Sequence, residues 1–428
     1  MAVPTARLLS SITMPTSISG NESANWFLSL SIFAFLSIIS DLILRCTLQR
    51  VTHSNAEVLI LTEKDDLKGV FDLDDQLTPE MRKQKGEILH KPVNQVKLTA
   101  TMTVADLVEQ MSGMSIQARN IGSCGEVLKK MMLDKRRPTV FLALAGPLIA
   151  AGLRQVIVDL IVNRVVDVVV STGAILYQDI YQARGSQHYV GTPNSDDVVL
   201  HDLRIDRIYD TYVDEEKFWE TDEWCGLIAD EIEPGNYSSR QYMDFVGSKL
   251  SDENSIVYNC HKYGVPIFAP ALNDSSIGIG LTAHRIRAIQ AGRKSVCIDA
   301  IQDNHEILQL TVKSPATSAI YVAGGVPKNY VNDSIVMAYL YGLERGHDYA
   351  IQVTTAVTAD GGLSSSTLGE AQSWGKIDSD AHFAMAWVEP SVAVPLLAAY
   401  VFGRDLAKDR PRLKWTWDGE TLVSLGHQ

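Results

Sequence analysis

The segment EAQSWGKI at 370–377 gathers three side chains that could act on a cationic substrate. Lys376 offers a primary amine, which attacks an imine or carbonyl carbon once it has lost its proton. Glu370 and Trp374 stand four apart, the spacing that puts two side chains on one face of a helix. Gly375 leaves room beside the lysine. An indole wall would lower the polarity around the amine and favour its neutral form. An indole with a carboxylate also suits a polyamine. A solvated surface lysine fits the same spacing, so the pattern alone leaves both readings open.

A second set of residues could hold a nucleotide. Five segments rich in Gly, Ser, Thr or Asp recur along the chain: AGPLIAAG (145–152), STGAILYQD (171–179), APALNDSSIG (269–278), AGGVPKNY (323–330) and TTAVTADGGLSSS (354–366). Small residues let backbone N–H groups approach a phosphate or ribose. None is a strict GxGxxG or GxxxxGK[ST] loop, and tight strand-to-helix turns use glycine for purely structural reasons. Five such loops in one chain favour a nucleotide site.

These loops need a scaffold, and the hydrophobic pattern supplies one. TVFLALA (139–145), VVDVVVST (165–172), VPIFAPA (265–271), SAIYVAGG (318–325), DYAIQVTT (348–355) and HFAMAWV (382–388) read as buried strands. Helical patterns separate them, as in LRQVIVDLIVNR (153–164). Continuously apolar strands alternating with helices specify a parallel sheet covered on both faces. The expected fold is α/β: a Rossmann-like, doubly wound, mostly parallel sheet over 96–405. Ligands of such sheets bind beyond the carboxyl ends of the strands, where the small-residue loops fall. ADLVEQMSGM (105–114) and CGEVLKKMML (124–133) read as amphipathic helices ahead of the sheet. The acidic stretch 191–255 breaks the rhythm and reads as an insertion of helices and loops. Residues 1–50 form an N-terminal extension, 51–95 a charged arm, and 406–428 a C-terminal tail.

Composition narrows the function classes. A net charge of −13 excludes nucleic acid as the main partner, because phosphate binding needs a basic face. It accommodates cationic substrates. Five widely spaced cysteines (46, 124, 225, 260, 297) without a CxxC speak against a disulfide framework or structural zinc, and fit reduced thiols in the cytoplasm. His188, His261, His284 and His347 lack metal-ligand spacing, so no metal is expected. The run WFLSLSIFAFLSIISDLIL (26–44) approaches the roughly 20 residues that span a bilayer. It reads as a membrane anchor, a targeting segment or a packed helix, and Asp41 and its serines weigh against the first.

SWGK preceded by a glutamate resembles the catalytic-lysine motif of deoxyhypusine synthases. The resemblance runs in order from about 112 to 405, through AAGLRQVIVDLIVNRVVDVVVSTGA, VPIFAPALNDSSIG, AGGVPKNYV and DYAIQVTTAVTADGG. It implies NAD as cofactor and spermidine or another polyamine as substrate. In that chemistry NAD oxidises spermidine to an imine, diaminopropane leaves, and the lysine captures the butylamine fragment. An acceptor amine then takes the fragment, and the product imine is reduced. The acceptor is a lysine of a translation initiation factor in the synthases proper, or putrescine in homospermidine synthases of the same fold. The family forms homotetramers with active sites between subunits. By position, Lys376 is the imine-forming lysine, and Glu370, Trp374 and Asn329 belong to the substrate site. Thr172, Gly173, Ala174, Asp274, Gly324, Thr355, Ala356, Asp360 and Glu389 would bind the cofactor.

The departures are equally specific. Asn329 stands where eukaryotic members have a histidine implicated in proton transfer, and an amide is neither acid nor base near neutrality. Two polyamine-gripping carboxylates fall on Ile279 and Leu363, and a glutamate falls on Gln178. Glu389 replaces an aspartate. VPKN and GGLS match the bacterial-type deoxyhypusine synthase-like branch. Asp179 and Asp333 are nearby candidates to make good the lost charge. A non-catalytic NAD-binding homologue is the competing reading.

Overall fold

The computed structural model describes residues 77–427. The apolar run at 26–44, Cys46 and most of the charged arm lie outside the described residues. The chain divides into two units, Met1–His90 and Lys91–Gln428. The described part of the first contains a helix, Pro79–Ile88, capped by the Thr78 hydroxyl, which accepts from Met81 N at 3.3 Å. No helix among the described residues is long and apolar enough to cross a membrane.

The second unit is built on a six-stranded sheet. Its strands are β1 (Thr139–Leu144), β2 (Val168–Ser171), β3 (Ile267–Phe268), β4 (Thr317–Val322), β5 (His347–Val353) and β6 (Ile377–Ala386). The order is β3-β2-β1-β4-β5-β6, and every pairing is parallel. The chain moves outward from β1 in one direction and from β4 in the other. That reversal leaves a crevice beyond the carboxyl ends of β1 and β4, the usual ligand position in such sheets.

Alternation along the strands divides the core. Val140, Leu142 and Leu144 face one layer, together with Ile320, Val322, Ile351 and Val353. Helices Val104–Met111, Ile116–Leu133, Arg154–Val162 and Pro390–Gly403 contribute side chains to the same cluster. Phe141, Ala143, Phe268, Ala319, Tyr321 and Ala350 face the other layer, with helices Ala300–Lys313, Gly325–Met337 and Leu368–Gln372. β1 and β4 are buried at every position, as expected of strands covered on both faces.

Three readings of the sequence change. The stretch 191–255 is not helices and loops alone: Tyr189–Val190, Thr211–Asp214 and Ile205–Ile208 form a three-stranded antiparallel sheet. Its strands are short and half-exposed, so they lack the apolar runs that mark the main sheet. Residues 406–428 are not simply a tail. Leu413–Asp418 and Thr421–His427 form an antiparallel hairpin. It is fixed to Ala300–Lys313 by Gln309, which donates to Glu420 O at 2.8 Å and accepts from Leu422 N at 2.8 Å. Last, β6 begins at Ile377, five residues before the apolar run at His382. Ile377 pairs with His347 and His382 with Tyr349, so 378–381 bulge out, and the polar bulge hides the strand's start.

Asp303 couples this body to pH. It lies on Ala300–Lys313 and is 1% exposed; its Oδ1 accepts from Ser239 N and Oγ (2.8 and 3.0 Å), while Oδ2 has no partner. Burial pushes its carboxyl up to about 7, and Glu306 adds to the rise. The folded chain therefore holds this proton more tightly than the unfolded chain does. The stability it contributes is complete below about pH 4 and is lost as pH rises through 7, at most about 4 kcal/mol. Thermal melts from pH 5 to 8 are expected to show a decline that Asp303→Asn removes. Equal slopes in both proteins would show that Asp303 does not titrate in this range.

Candidate active site

Lys376 sits in a turn between helix Leu368–Gln372 and β6. The helix opens with a capping box: Glu370 N donates to Thr367 Oγ1 at 2.9 Å, and Thr367 N donates to Glu370 Oε2 at 3.3 Å. It is only five residues long. Gly375 takes φ 68°, a left-handed conformation that glycine adopts without a Cβ clash, and the chain turns there into β6. Glu370 and Trp374 therefore do not share a helix face. Trp374 lies past the helix end and is 68% exposed, so it forms no dry wall around the amine. Its ring centroid is 5.5 Å from Lys376 Nζ, within cation–π range.

The partners of the lysine come from helix Gly325–Met337. Lys376 Nζ donates to Asn329 Oδ1 at 3.1 Å and pairs with Asp333 Oδ1 at 3.1 Å. Asn329 Nδ2 donates to Asp333 Oδ2 at 2.7 Å. Positions 329 and 333 are one turn apart on one face, so the helix presents an amide and a carboxylate together. Only one orientation of the Asn329 amide satisfies both contacts, because Lys376 donates and Asp333 accepts. The lysine side chain is 14% exposed and that of Asp333 44%. Of the two acids considered as replacements, Asp333 meets the lysine and Asp179 does not. Asp179 is fully buried and caps helix Ile256–Tyr263. Its oxygens accept from Ser255 Oγ, Ile256 N and Val257 N (2.7–3.0 Å), and it pairs with Arg154 at 2.6 Å.

One residue that the motif search passed over holds the site together. Lys328 is 0% exposed, and its ammonium donates to Leu363 O (3.2 Å), Ser366 O (2.6 Å) and Ser366 Oγ (3.0 Å). Burial pushes it down to about 8; nearby Glu370 opposes the shift and Lys376 adds to it. In the sequence it is one lysine among charged and polar neighbours, and only its packing marks it. Gln352, also buried, donates to Ala323 O (2.8 Å) and Ser364 O (2.9 Å), joining the loops after β4 and β5. The same loops touch at Gly324, where a Cβ would lie 2.5 Å from Ser364 Cα. Ala323 is left-handed (φ 60°), at a cost of about 1 kcal/mol, and its N–H to Val353 O (2.8 Å) helps hold it there.

The nine cofactor candidates all follow the carboxyl ends of strands. Thr172, Gly173 and Ala174 follow β2; Thr172 caps helix Gly173–Ala183, and Ala174 is exposed. Gly173 is needed because a Cβ there would lie 2.3 Å from Ser275 Oγ. Asp274 follows β3, Gly324 follows β4, Thr355, Ala356 and Asp360 follow β5, and Glu389 follows β6. Asp274 and Asp360 are exposed. Glu389 caps helix Pro390–Gly403, its Oε2 accepting from Ser391 N at 2.8 Å and from the Ser391 hydroxyl. The small residues and free carboxylates at the crevice fit a dinucleotide. Helix Gly325–Met337 starts at the same edge, its first N–H donating to Ser364 Oγ at 2.9 Å. The backbone of Lys376 lies at the opposite edge of the sheet. It precedes β6, and its carbonyl accepts from His347 N at the start of β5 (3.0 Å). Strand β5 separates the Lys376 backbone from Thr355, but the side chain reaches Asn329, five residues after Gly324 and so about 7 Å from it along the helix axis. Among the described residues, no hydrogen bond or ion pair joins Lys376 to a cofactor candidate.

Lys328→Met is expected to leave the Ser366 carbonyl without its donor, while Leu363 O keeps those from Ser366 N and Oγ, at about 2–3 kcal/mol. Hydrogen–deuterium exchange should quicken over 361–367 while the β1 and β4 amides stay protected. Unchanged exchange over 361–367 would mean that the buried ammonium does not hold this loop.

Comparison with known proteins bears on what this geometry serves. The deoxyhypusine synthase family model matches residues 106–401. A deoxyhypusine synthase-like protein of Chlorobaculum parvum is 40% identical over 335 residues, covering 77% of this chain and 94% of the relative. One from Elusimicrobium minutum is 41% identical over 311 residues, covering 71% and 82%. A crystal structure from Entamoeba histolytica, described as a candidate deoxyhypusine synthase, covers 73% of this chain and 97% of its own. Its TM-score is 0.51 at 19% identity, a likeness of fold. With a family model spanning most of the sheet domain and relatives of this identity along almost their whole length, the chain belongs to the deoxyhypusine synthase family.

Proposed function

We propose that this protein is an NAD-dependent aminobutyl transferase. It would move the butylamine group of spermidine to an acceptor amine through an imine on Lys376. The observation that carries the reading is the placing of Lys376: nearly buried, against an indole, and held by an amide and a carboxylate. A solvated surface lysine has no such surroundings.

Thr172, Gly173, Ala174, Asp274, Gly324, Thr355, Ala356, Asp360 and Glu389 would hold NAD, the two exposed aspartates accepting from ribose hydroxyls. When bound, NAD supplies a hydride acceptor for amine oxidation and a donor for the final reduction. Lys376 does the covalent work. Its neutral amine adds to the substrate imine carbon, the C–N bond to the diaminopropane nitrogen breaks, and the fragment stays on Nζ as a new imine. The acceptor amine then adds to that carbon and the lysine leaves. Trp374 would lie along the methylene chain, with Asp333 and Glu370 facing ammonium groups. Asn329 cannot move a proton, so its part is to orient Lys376 and Asp333. The assembly in this reading is the homotetramer that the family resemblance implies, with active sites between subunits. The acceptor in this reading is a lysine of a translation initiation factor.

Incubating the protein with NAD, spermidine and either a translation initiation factor or putrescine, followed by mass spectrometry, tests the activity. Borohydride added during turnover should leave a butylamine adduct on Lys376. Lys376→Arg should lose transfer by at least a thousandfold, because a guanidinium stays protonated and forms no imine. It should keep its NAD affinity, whereas Asp274→Ala and Asp360→Ala should each weaken NAD binding in calorimetry. Transfer to putrescine alone would make the acceptor a free diamine. Wild-type protein that binds NAD but gives no product would instead identify a non-catalytic homologue.

A further inference from the structure

We propose that Asp333 is an exchangeable counterion: it holds Lys376 as an ammonium until a cationic end of an aliphatic polyamine takes its place, and only then is Lys376 released as a nucleophile. The inference deepens the proposed aminobutyl transfer and rests on it for the identity of the cation.

The geometry carries the exchange. Asp333 reaches Lys376 at 3.1 Å, yet its side chain is 44% exposed where the lysine is 14% exposed. The carboxylate is thus the solvent-side half of the pair, open to an arriving cation. Asn329 Nδ2 fixes Asp333 Oδ2 at 2.7 Å, so the carboxylate stays in place when its partner changes. Asn329 Oδ1, which accepts from Lys376 at 3.1 Å, is left as a second acceptor for the newcomer. Exposed Trp374 gives a methylene chain an apolar surface beside the same point.

Among the described residues, the other charged groups near Lys376 form no hydrogen bond or ion pair with it. From the preceding helix, Glu370 accepts from Thr367 N through Oε2 and makes no hydrogen bond or ion pair with Lys376. From β6, Asp378 Oδ1 accepts from Asp380 N at 3.1 Å. At the start of β5, His347 is buried and pushed down to about 3, and its Nδ1 lies 3.1 Å from Thr317 Oγ1. From helix Gly325–Met337, Lys328 is a second cation fixed in its carbonyl cage. Among the described residues, Asp333 is the carboxylate in contact with Lys376. Once a substrate ammonium holds it, Lys376 lies near two cations without a counterion, and its proton passes to water. The substrate keeps its own proton, and no covalent bond changes in the exchange. A neutral amine then appears only beside a bound polycation, which spares the site from reacting with other electrophiles.

The test reads Lys376 chemistry without turnover. The full chain, free of NAD, is treated at pH 7 with propionaldehyde and cyanoborohydride. Alkylation of Lys376 is followed by peptide mass spectrometry, with surface lysines as the internal reference. In the wild type the Asp333 carboxylate holds Lys376 Nζ at 3.1 Å and must give it up before the amine can react. Asp333→Asn should therefore speed labelling about tenfold or more, and Asp333→Glu should restore slow labelling. N,N,N′,N′-tetramethyl-1,4-diaminobutane keeps two charges but forms no imine. It should speed labelling of the wild type several-fold and leave Asp333→Asn unchanged. Wild-type labelling rates in a folded Asp333→Asn protein would overturn the proposal, as would equal protection of both proteins by the tetramethyl diamine. Absence of spermidine-derived product alongside the predicted labelling pattern would remove the transfer reaction and leave the counterion exchange standing.

Discussion

The arrangement around Lys376 depends on one buried cation. Lys328 places its ammonium among the carbonyls of Leu363 and Ser366 and the Ser366 hydroxyl, with no exposure to solvent. Burying an ammonium is costly unless its donors are satisfied, and here three acceptors from one loop satisfy them. The contact locks helix Gly325–Met337 to the segment leading into helix Leu368–Gln372. Asn329 and Asp333 ride on the first of these elements and Lys376 follows the second. The distances among the three follow from the position of the clamp. Gln352 and the close approach at Gly324 reinforce it nearer the sheet.

The sheet imposes a different constraint. All six strands run parallel, so every strand-to-helix loop opens on one edge and the small residues collect there. Lys376 enters at the beginning of β6 and is assigned by topology to the other end. Its side chain nevertheless reaches back to Asn329 and Asp333 in the first turns of helix Gly325–Met337.

The neutral replacements read from the sequence gain meaning from the pairings. Asn329 cannot carry a proton, but it bridges Lys376 and Asp333 with both ends of its amide. Ile279 and Leu363 carry no charge, while Asp333, one turn along the helix from Asn329, sets a carboxylate against Lys376. Function in such a site depends on where charge sits relative to the reacting amine more than on which position supplies it.

The parallel sheet was legible in the sequence because buried strands leave continuous apolar runs, and all six were visible as such. The five small-residue loops were legible too, since strand-to-helix turns and ligand approach demand the same residues. Motif order was enough to identify the family. What escaped was decided by packing between distant segments. The short, half-exposed strands at 189–214 and the bulge at 378–381 carry no strong period. Asp179 and Asp333 look alike in sequence, yet one caps a buried helix and the other meets the lysine. Lys328 resembles a surface lysine until the loop 361–366 folds over it. The sequence by itself determined the layers and the chemistry available, because hydrophobic period and residue type are local properties. Only the tertiary structure decided which charge faces which, because a counterion is chosen by proximity in space.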